Sequence, residues 1–399
     1  MPATPAAAPY VAPAIRLDRD TTGSAASHAA PIVLPFELAA NHVLVRARVN
    51  GVEGWLIVDT GSSLTSLDTE WAKTVGARPA AQQAQVLGAG SVATTLATVD
   101  SLQLPGVDMR DLTAVLVPLD AVSRVHGRAI RGTLGYDFLS RYAVEIDYAR
   151  RVLRLHDPAT FEYAGAGIAV PVSLQFRVPI VQATLTPAGR APIAARLLLD
   201  LGTSLFVALL NTPFVDEHAL AQGTAPAVDA PLGTGVGGRV LGRVTRLREL
   251  RLGGLAVREP TVGLGRERVG FVGSTFVDGT IGAPLFERTT MILDYARGRV
   301  IFEPGPRFAA PYEYDMSGLQ LAAGEGGAAL VTFVVAGGPA QDAGVQVGDE
   351  IVAVNGRPTG ELSLEDIRGA LRSAGARPEL TIRHDGRERR VRLTLRRLV

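Results

Sequence analysis

Two segments of this chain each place one carboxylate at the end of an apolar run. Leu56-Ile57-Val58 leads into Asp59-Thr60-Gly61-Ser62-Ser63, and Leu197-Leu198-Leu199 leads into Asp200-Leu201-Gly202-Thr203-Ser204. Two carboxylates about 3 Å apart cannot both ionise, so such a pair shares one proton and offers one base and one acid. The base can take a proton from water while the acid protonates or polarises an amide, which hydrolyses it without a metal or a covalent intermediate. Asp59 and Asp200 are the candidate pair. Ser62 and Thr203 stand where each can hydrogen-bond its own aspartate, and Gly61 and Gly202 allow the tight turn.

One Asp-Thr-Gly alone says little, because Asp and Gly are common in turns. The repeat gives it weight. Asp68 precedes a helix start at Thr69-Glu70-Trp71 that ends at Gly76, and Thr212 precedes Pro213 with Asp216 and Glu217 in the opening turns. Leu102-Gln103-Leu104-Pro105-Gly106-Val107 answers Leu250-Arg251-Leu252-Gly253-Gly254-Leu255. Gly132-Thr133-Leu134-Gly135 answers Gly279-Thr280-Ile281-Gly282, and Ile146-Asp147-Tyr148-Ala149-Arg150 answers Leu293-Asp294-Tyr295-Ala296-Arg297. The order is the same in both halves, with an offset of 141 residues from Asp59 to Asp200 and 147 from Gly135 to Gly282. A duplicated unit of this size predicts two pseudo-symmetric lobes rather than a stacked array. One Asp from each lobe then meets its partner at the interface.

The elements that must position the pair follow from the same pattern. In the first lobe a strand from Val43 to Val49 reaches the hairpin signal Asn50-Gly51, and the chain returns through Trp55 to Asp59. In the second, Val178 to Leu185 precedes a turn with Pro187 and Gly189 and a return strand to Asp200. Gly88 and Gly90 in the first lobe, and Gly233, Gly235, Gly237 and Gly238 in the second, predict mobile hairpin flaps, since glycine eases a hinge and lets backbone approach a bound peptide. Gly233, Gly235 and Gly238 also satisfy the dinucleotide pattern G-x-G-x-x-G. Arg239 to Leu252 alternates like a strand, so the helix that pattern requires is missing and the match is rejected.

Composition bounds the alternatives. A chain of 399 residues is long enough for two or three domains, and 44 glycines, 25 prolines and few long helical patterns predict a mostly β protein. A net charge of +1 gives no global electrostatic case for nucleic acid. The absence of cysteine excludes a disulfide framework, a thiolate nucleophile and a zinc-thiolate site. His28, His42, His126, His156, His218 and His384 are scattered without metal-ligand spacing, so they read as structural or surface residues, and no metal or cofactor is expected. No G-x-S-x-G elbow supports a serine hydrolase. No stretch approaches the roughly 18 continuous apolar residues of a membrane helix. Residues 1–30 read as a disordered Ala/Pro-rich leader. Near the C-terminus, Val391, Leu393 and Leu395 alternate with arginines, as in a last strand with one wet face.

With these motifs placed, residues 32–304 resemble the bacterial retropepsin-like aspartic proteases, here with both lobes in one chain. The segment Leu134-Gly135-Tyr136-Asp137-Phe138-Leu139-Ser140-Arg141-Tyr142, running into Ile146-Asp147-Tyr148, carries the likeness most specifically. The resemblance implies that Leu134-Gly135 and Ile281-Gly282 lie on strands that cross behind the catalytic loops and support them. It also implies a Thr or Ser after each Asp, whose hydroxyl bonds across the interface. Thr60 fits this pattern and Leu201 does not, a loss of ~1 kcal/mol of local tethering.

Residues 316–399 resemble a PDZ domain, through Ser317-Gly318-Leu319-Gln320-Leu321, Gly338-Pro339-Ala340, Ala343-Gly344-Val345, Gly348-Asp349-Glu350-Ile351 and Val354-Asn355-Gly356. A helix is predicted from Ser363, with Asp366 completing a capping box and Leu364, Ile367 and Leu371 on one face. Such a domain adds an extended peptide beside its sheet and holds a terminal carboxylate on backbone N–H groups. The resemblance gives Gly318, Leu319, Gln320, Leu321, Ile367 and Leu371 as peptide contacts.

The expected organisation is a leader (1–30), a first protease lobe (31–157), a linker (158–167), a second lobe (168–304), a linker (305–315) and a PDZ domain (316–399). The expected activity is an aspartic endopeptidase acting on peptides or unfolded proteins, with the PDZ domain binding a C-terminal peptide or regulating access. The alternative is a catalytically silent peptide-binding or adaptor protein of the same fold. The resemblance implies a periplasmic or secreted setting.

Overall fold

The computed structural model describes residues 30–223 and 225–399; the leader falls outside them apart from residue 30. Each aspartate ends a strand at the centre of an eight-stranded sheet. In the first sheet Val52–Val58 runs parallel to Ile130–Leu134, which pairs antiparallel with Ser66–Asp68, itself parallel to Val107–Val117. In the second, Ile193–Leu199 runs parallel to Gly279–Ile281, which pairs antiparallel with Ala208–Leu210, itself parallel to Thr261–Gly265. The four central strands of one lobe therefore repeat those of the other in direction and order. The last three residues of the strand before each aspartate, Leu56 to Val58 and Leu197 to Leu199, are buried on both faces, which is why they read as continuous apolar runs rather than alternations.

A third sheet of six strands joins the halves. At its centre Ala143–Asp147 pairs antiparallel with Thr289–Asp294, with Val144 opposite Leu293 and Ile146 opposite Met291. This explains the second repeated string: Asp147 and Asp294 both end the joining strands, both are buried, and both are held by arginines, Arg150 and Arg154 for one and Arg297 and Arg299 for the other. One continuous core runs through both lobes and includes Leu56, Val58, Leu197, Leu199, Phe286 and Phe302.

Helix ends follow local chemistry. The Asp68 side chain accepts from the Trp71 N–H and caps the helix Thr69–Thr74 as expected. In the second lobe the cap position is Asn211 rather than Thr212. The Thr212 hydroxyl donates to the Glu267 carbonyl and so is not free to cap, while the Asn211 amide donates to the Phe271, Ser274 and Val277 carbonyls.

The C-terminal sheet runs Leu319–Ala323, Ala329–Val334, Glu350–Val354, Glu379–His384, Arg387–Arg392 and closes over its own core of Leu321, Val331, Ile351, Ile382 and Leu393. Ser363 and Asp366 form the expected capping box at the start of the helix Leu364–Ala370. This module sits against both lobes. Val335 and Val399 share a cluster with Phe206, Val240 and Val244 of the second lobe, and Arg246 Nε donates to the Val399 carbonyl at 3.0 Å. The connection before it is also held: Arg288 lies 3.7 Å over the Tyr312 ring and donates to the Pro311 carbonyl, and Tyr314 stacks on Phe206.

Candidate active site

Each aspartate is fixed by its own loop in the same way. Asp59 Oδ1 accepts from the Gly61 N–H at 2.8 Å and Oδ2 from the Ser62 hydroxyl at 2.8 Å. Asp200 Oδ1 accepts from the Gly202 N–H at 2.8 Å and Oδ2 from the Thr203 hydroxyl at 2.7 Å. The two carboxyls face each other across the glycines: a Cβ on Gly202 would stand 3.0 Å from Asp200 Oδ1 and 3.2 Å from Asp59 Oδ1. A Cβ on Gly61 would stand 2.6 Å from Asp200 Oδ1 and 3.2 Å from Asp59 Oδ1, so the bare glycine is what lets the opposite carboxylate approach. Asp200 is pushed up to about 7, first by desolvation and then by the neighbouring Asp59 charge, against the pull of its Thr203 and Gly202 hydrogen bonds.

The crossing strands hold these loops from behind. The Asp59 N–H donates to the Leu134 carbonyl at 3.0 Å and the Asp200 N–H to the Ile281 carbonyl at 2.9 Å. A Cβ on Gly135 would lie 2.6 Å from the Leu64 carbonyl oxygen, and one on Gly282 would lie 2.3 Å from that of Thr203, so both positions need glycine for close backbone approach.

The lobes are tied unequally. The buried Thr60 hydroxyl donates to the Leu199 carbonyl at 2.7 Å and accepts from the Leu201 N–H at 3.0 Å. Leu201, also buried, has no polar atom with which to return this bond. Lobe one supplies two other contacts to the second loop. Asn41 Nδ2 donates to the Ser204 carbonyl at 2.8 Å, and His42 Nε2 lies 3.0 Å from the Gly202 carbonyl oxygen. His42 Nδ1 in turn meets His126 Nε2 at 3.0 Å.

Above the carboxylates the hairpin tips meet. The Gly90 N–H donates to the Val236 carbonyl at 3.2 Å, and the Phe271 N–H donates to the Gly88 carbonyl at 2.9 Å. They roof a cavity of about 1620 Å³ lined by Asp59, Asp200, Gly88, Gly233, Phe271 and, at its far side, Leu321. Gly235 and Gly238 also line it, whereas Gly90 and Gly237 are engaged in the contact between the tips. Gly233 and Gly235 lie in the strand Val228–Gly235 and Gly238 opens the strand Gly238–Leu252, so this stretch is the tip of a β-hairpin, in agreement with the rejection of a dinucleotide loop.

Residues 45–138 match the family model described as aspartyl protease, and residues 330–384 match the PDZ domain model. The chain carries an aspartyl protease-like domain and a PDZ domain. Among solved structures, the aspartic proteinase from Irpex lacteus is similar over 71% of this chain and 99% of its own, at 16% identity and a TM-score of 0.45. A comparison with curated proteins finds no match.

In the PDZ domain the loop expected to receive a terminal carboxylate already holds one. Asp315 Oδ1 accepts from the N–H groups of Ser317, Gly318 and Leu319 at 3.0, 2.6 and 3.2 Å. Burial raises this carboxyl to about 6, with those hydrogen bonds opposing the shift. The groove beside Leu319–Ala323 is also engaged. Arg368 Nη2 donates to the Leu321 carbonyl and to the Val125 carbonyl of the lobe-one helix Asp120–His126, both at 2.9 Å, and Gln320 Nε2 donates to the Pro231 carbonyl. Leu319, Gln320, Leu321 and Leu371 border the same cavity as the two catalytic candidates. Ile367 does not border it; at 2% exposure it packs into the PDZ core.

Three participants were not legible as such. His42 and His126 are 84 residues apart and carry no shared motif, so only the fold brings their rings together. Asp315 did leave a signal: an aspartate two and three residues before N–H groups it can accept from is an Asx-turn pattern.

Proposed function

We propose that this chain is an aspartic endopeptidase in which Asp59 and Asp200 activate a water between them. The observation that carries this reading is the donor-for-donor match around the two carboxylates, each held by one glycine N–H and one hydroxyl, with Oδ1 of both beside Gly61 and Gly202. The two carboxyls share one proton; with that proton on Asp200, Asp200 is the acid and Asp59 the base. Asp59 takes a proton from the water, whose oxygen attacks the scissile carbonyl carbon as Asp200 protonates the carbonyl oxygen. Breakdown returns the proton on Asp59 to the departing amine and one hydroxyl proton to Asp200, so the dyad is regenerated.

The cavity suits an extended polypeptide under the two flaps, and its continuation to the PDZ groove supports that domain as a binder of peptide or unfolded-protein substrates or a regulator of access. The expected setting is periplasmic or secreted, as the resemblance implies; no helix among the described residues is long and apolar enough to cross a membrane. The test is cleavage of an unfolded protein from roughly pH 3 to pH 9. The active form carries one proton on the dyad, so activity is expected in the acidic to neutral range and falls as pH rises through about 7, where the pair loses its shared proton. Activity that keeps rising above that point contradicts the shared-proton dyad. No cleavage at any pH, together with measurable peptide binding, favours the silent-binder reading that Leu201 raises.

A further inference from the structure

The geometry points to Asn41 and His42 as positioning residues for the Asp200 loop, providing from lobe one the second cross-lobe anchor that Leu201 cannot make. This rests on the endopeptidase reading. It starts from a symmetry argument. Leu44 pairs with Ile57, two residues before Asp59, and Ile180 pairs with Leu198, two residues before Asp200, so Leu44 and Ile180 are equivalent. By the same offset His42 corresponds to Val178 and Asn41 to Arg177. Both segments turn through left-handed backbone, with φ of 48° and 64° at Ala40 and Asn41 and 52° and 65° at Phe176 and Arg177. The fold of the turn is thus common to both lobes, while a ring nitrogen at its end exists only in lobe one.

That nitrogen meets the loop that lacks a hydroxyl. A hydroxyl at 201 would bond across to the Asp59 loop as Thr60 bonds across to the Asp200 loop. Without it, Thr60 alone among the two equivalent positions ties the lobes, and the Asp200 loop gains Asn41 on the Ser204 carbonyl and His42 on the Gly202 carbonyl instead. These carbonyls flank Thr203, whose hydroxyl holds Asp200 Oδ2. A carbonyl only accepts, so the Gly202 contact requires a proton on His42 Nε2; Nδ1 of the same ring faces the Ala40 carbonyl oxygen and His126 Nε2, each at 3.0 Å, so a singly protonated ring donates to one side only and the doubly protonated ring serves both. The His42 ring is held from behind by His126, whose Nδ1 lies 2.8 Å from the Val122 carbonyl oxygen. Both rings are buried, and the side chains they present are fixed rather than free to rotate in solvent.

A catalytic carboxylate displaced by a fraction of an ångström loses rate more than affinity, with losses near 100-fold for about 1 Å. His42→Phe keeps the ring and removes the donor; Asn41→Gly removes the amide while keeping the left-handed turn unstrained. Each is expected to lower kcat on an unfolded protein about 10-fold, and the pair about 100-fold, with KM changing less than 2-fold. His42→Gln, which retains an amide donor, should recover much of kcat, and Leu201→Thr in the His42→Phe background should do so by restoring the symmetric tie. Hydrogen exchange over the loop 200–204, read on the full chain, gives a measure independent of cleavage and is expected to quicken in His42→Phe and slow again with Leu201→Thr. If the parent does not cleave but exchange follows this pattern, the positioning role stands and the endopeptidase reading falls. Unchanged kcat and exchange in both His42→Phe and Asn41→Gly, or a rise in KM with kcat intact, overturns the proposal.

Discussion

Thr60 and Leu201 occupy matching places in loops that otherwise agree bond for bond, and the difference shows how a single residue shifts the work of an interface. The Thr60 hydroxyl is buried and makes two hydrogen bonds to the opposite lobe. Thr60→Val is nearly isosteric and strands the Leu199 carbonyl and the Leu201 N–H, so it is expected to lower stability by about 2 kcal/mol in urea denaturation; an unchanged midpoint contradicts the importance of this tie. Asp315 offers a second residue-scale test. Its folded-state affinity for a proton is raised, so its contribution to stability is present below the ordinary carboxylate range and is lost as pH rises through about 6. Asp315→Asn keeps an oxygen for the three N–H groups and has no charge to bury. Its denaturation midpoint should therefore rise relative to the parent between about pH 4.5 and pH 7.5, and a gap that does not depend on pH refutes the burial argument.

At the scale of elements, the crossing strands and the PDZ loop lead to separate expectations. Gly282 has backbone oxygens of Thr203 and Phe206 within 2.3 and 2.6 Å of where a Cβ would stand, and backbone cannot swing aside as a flexible side chain would. Gly282→Ala should cost about 3 kcal/mol and weaken activity through the Asp200 loop, as read by urea midpoint and cleavage rate. In the PDZ domain, the N–H groups of Ser317, Gly318 and Leu319 are already satisfied by Asp315, so a terminal carboxylate has little to gain there. A peptide with a free C-terminus and its amidated form should then bind the full chain equally by fluorescence anisotropy. A strong preference for the free acid would mean that Asp315 gives way to ligand. Strands, repeated landmarks and the Ser363 cap were legible because they depend on neighbours in sequence: apolar runs, Gly-x-x-Gly spacing, a serine three residues before an aspartate. The cap at Asn211 was not, since it turns on Thr212 being drawn to Glu267, 55 residues away.

At the scale of the whole molecule, the duplicated landmarks resolve into one bilobal unit with a shared central sheet and a continuous core, and the PDZ domain closes one side of its cavity. The order of the repeats made the two matching sheets, and the nearness of Asp59 to Asp200, readable in advance. The seating of the PDZ domain was not readable, because it depends on Arg368 reaching Val125 and on Val399 entering a cluster with Phe206, contacts with no sequence periodicity. The reading of the histidines as scattered structural or surface residues missed the His42–His126 pair for the same reason. The most direct test of the central claim is mass spectrometry of fragments from an unfolded protein incubated with the parent, Asp59→Asn and Asp200→Asn at roughly pH 5, within the range expected of a singly protonated dyad. Cleavage by the parent and its loss in both variants is the predicted result; cleavage that survives either substitution would contradict a shared catalytic pair.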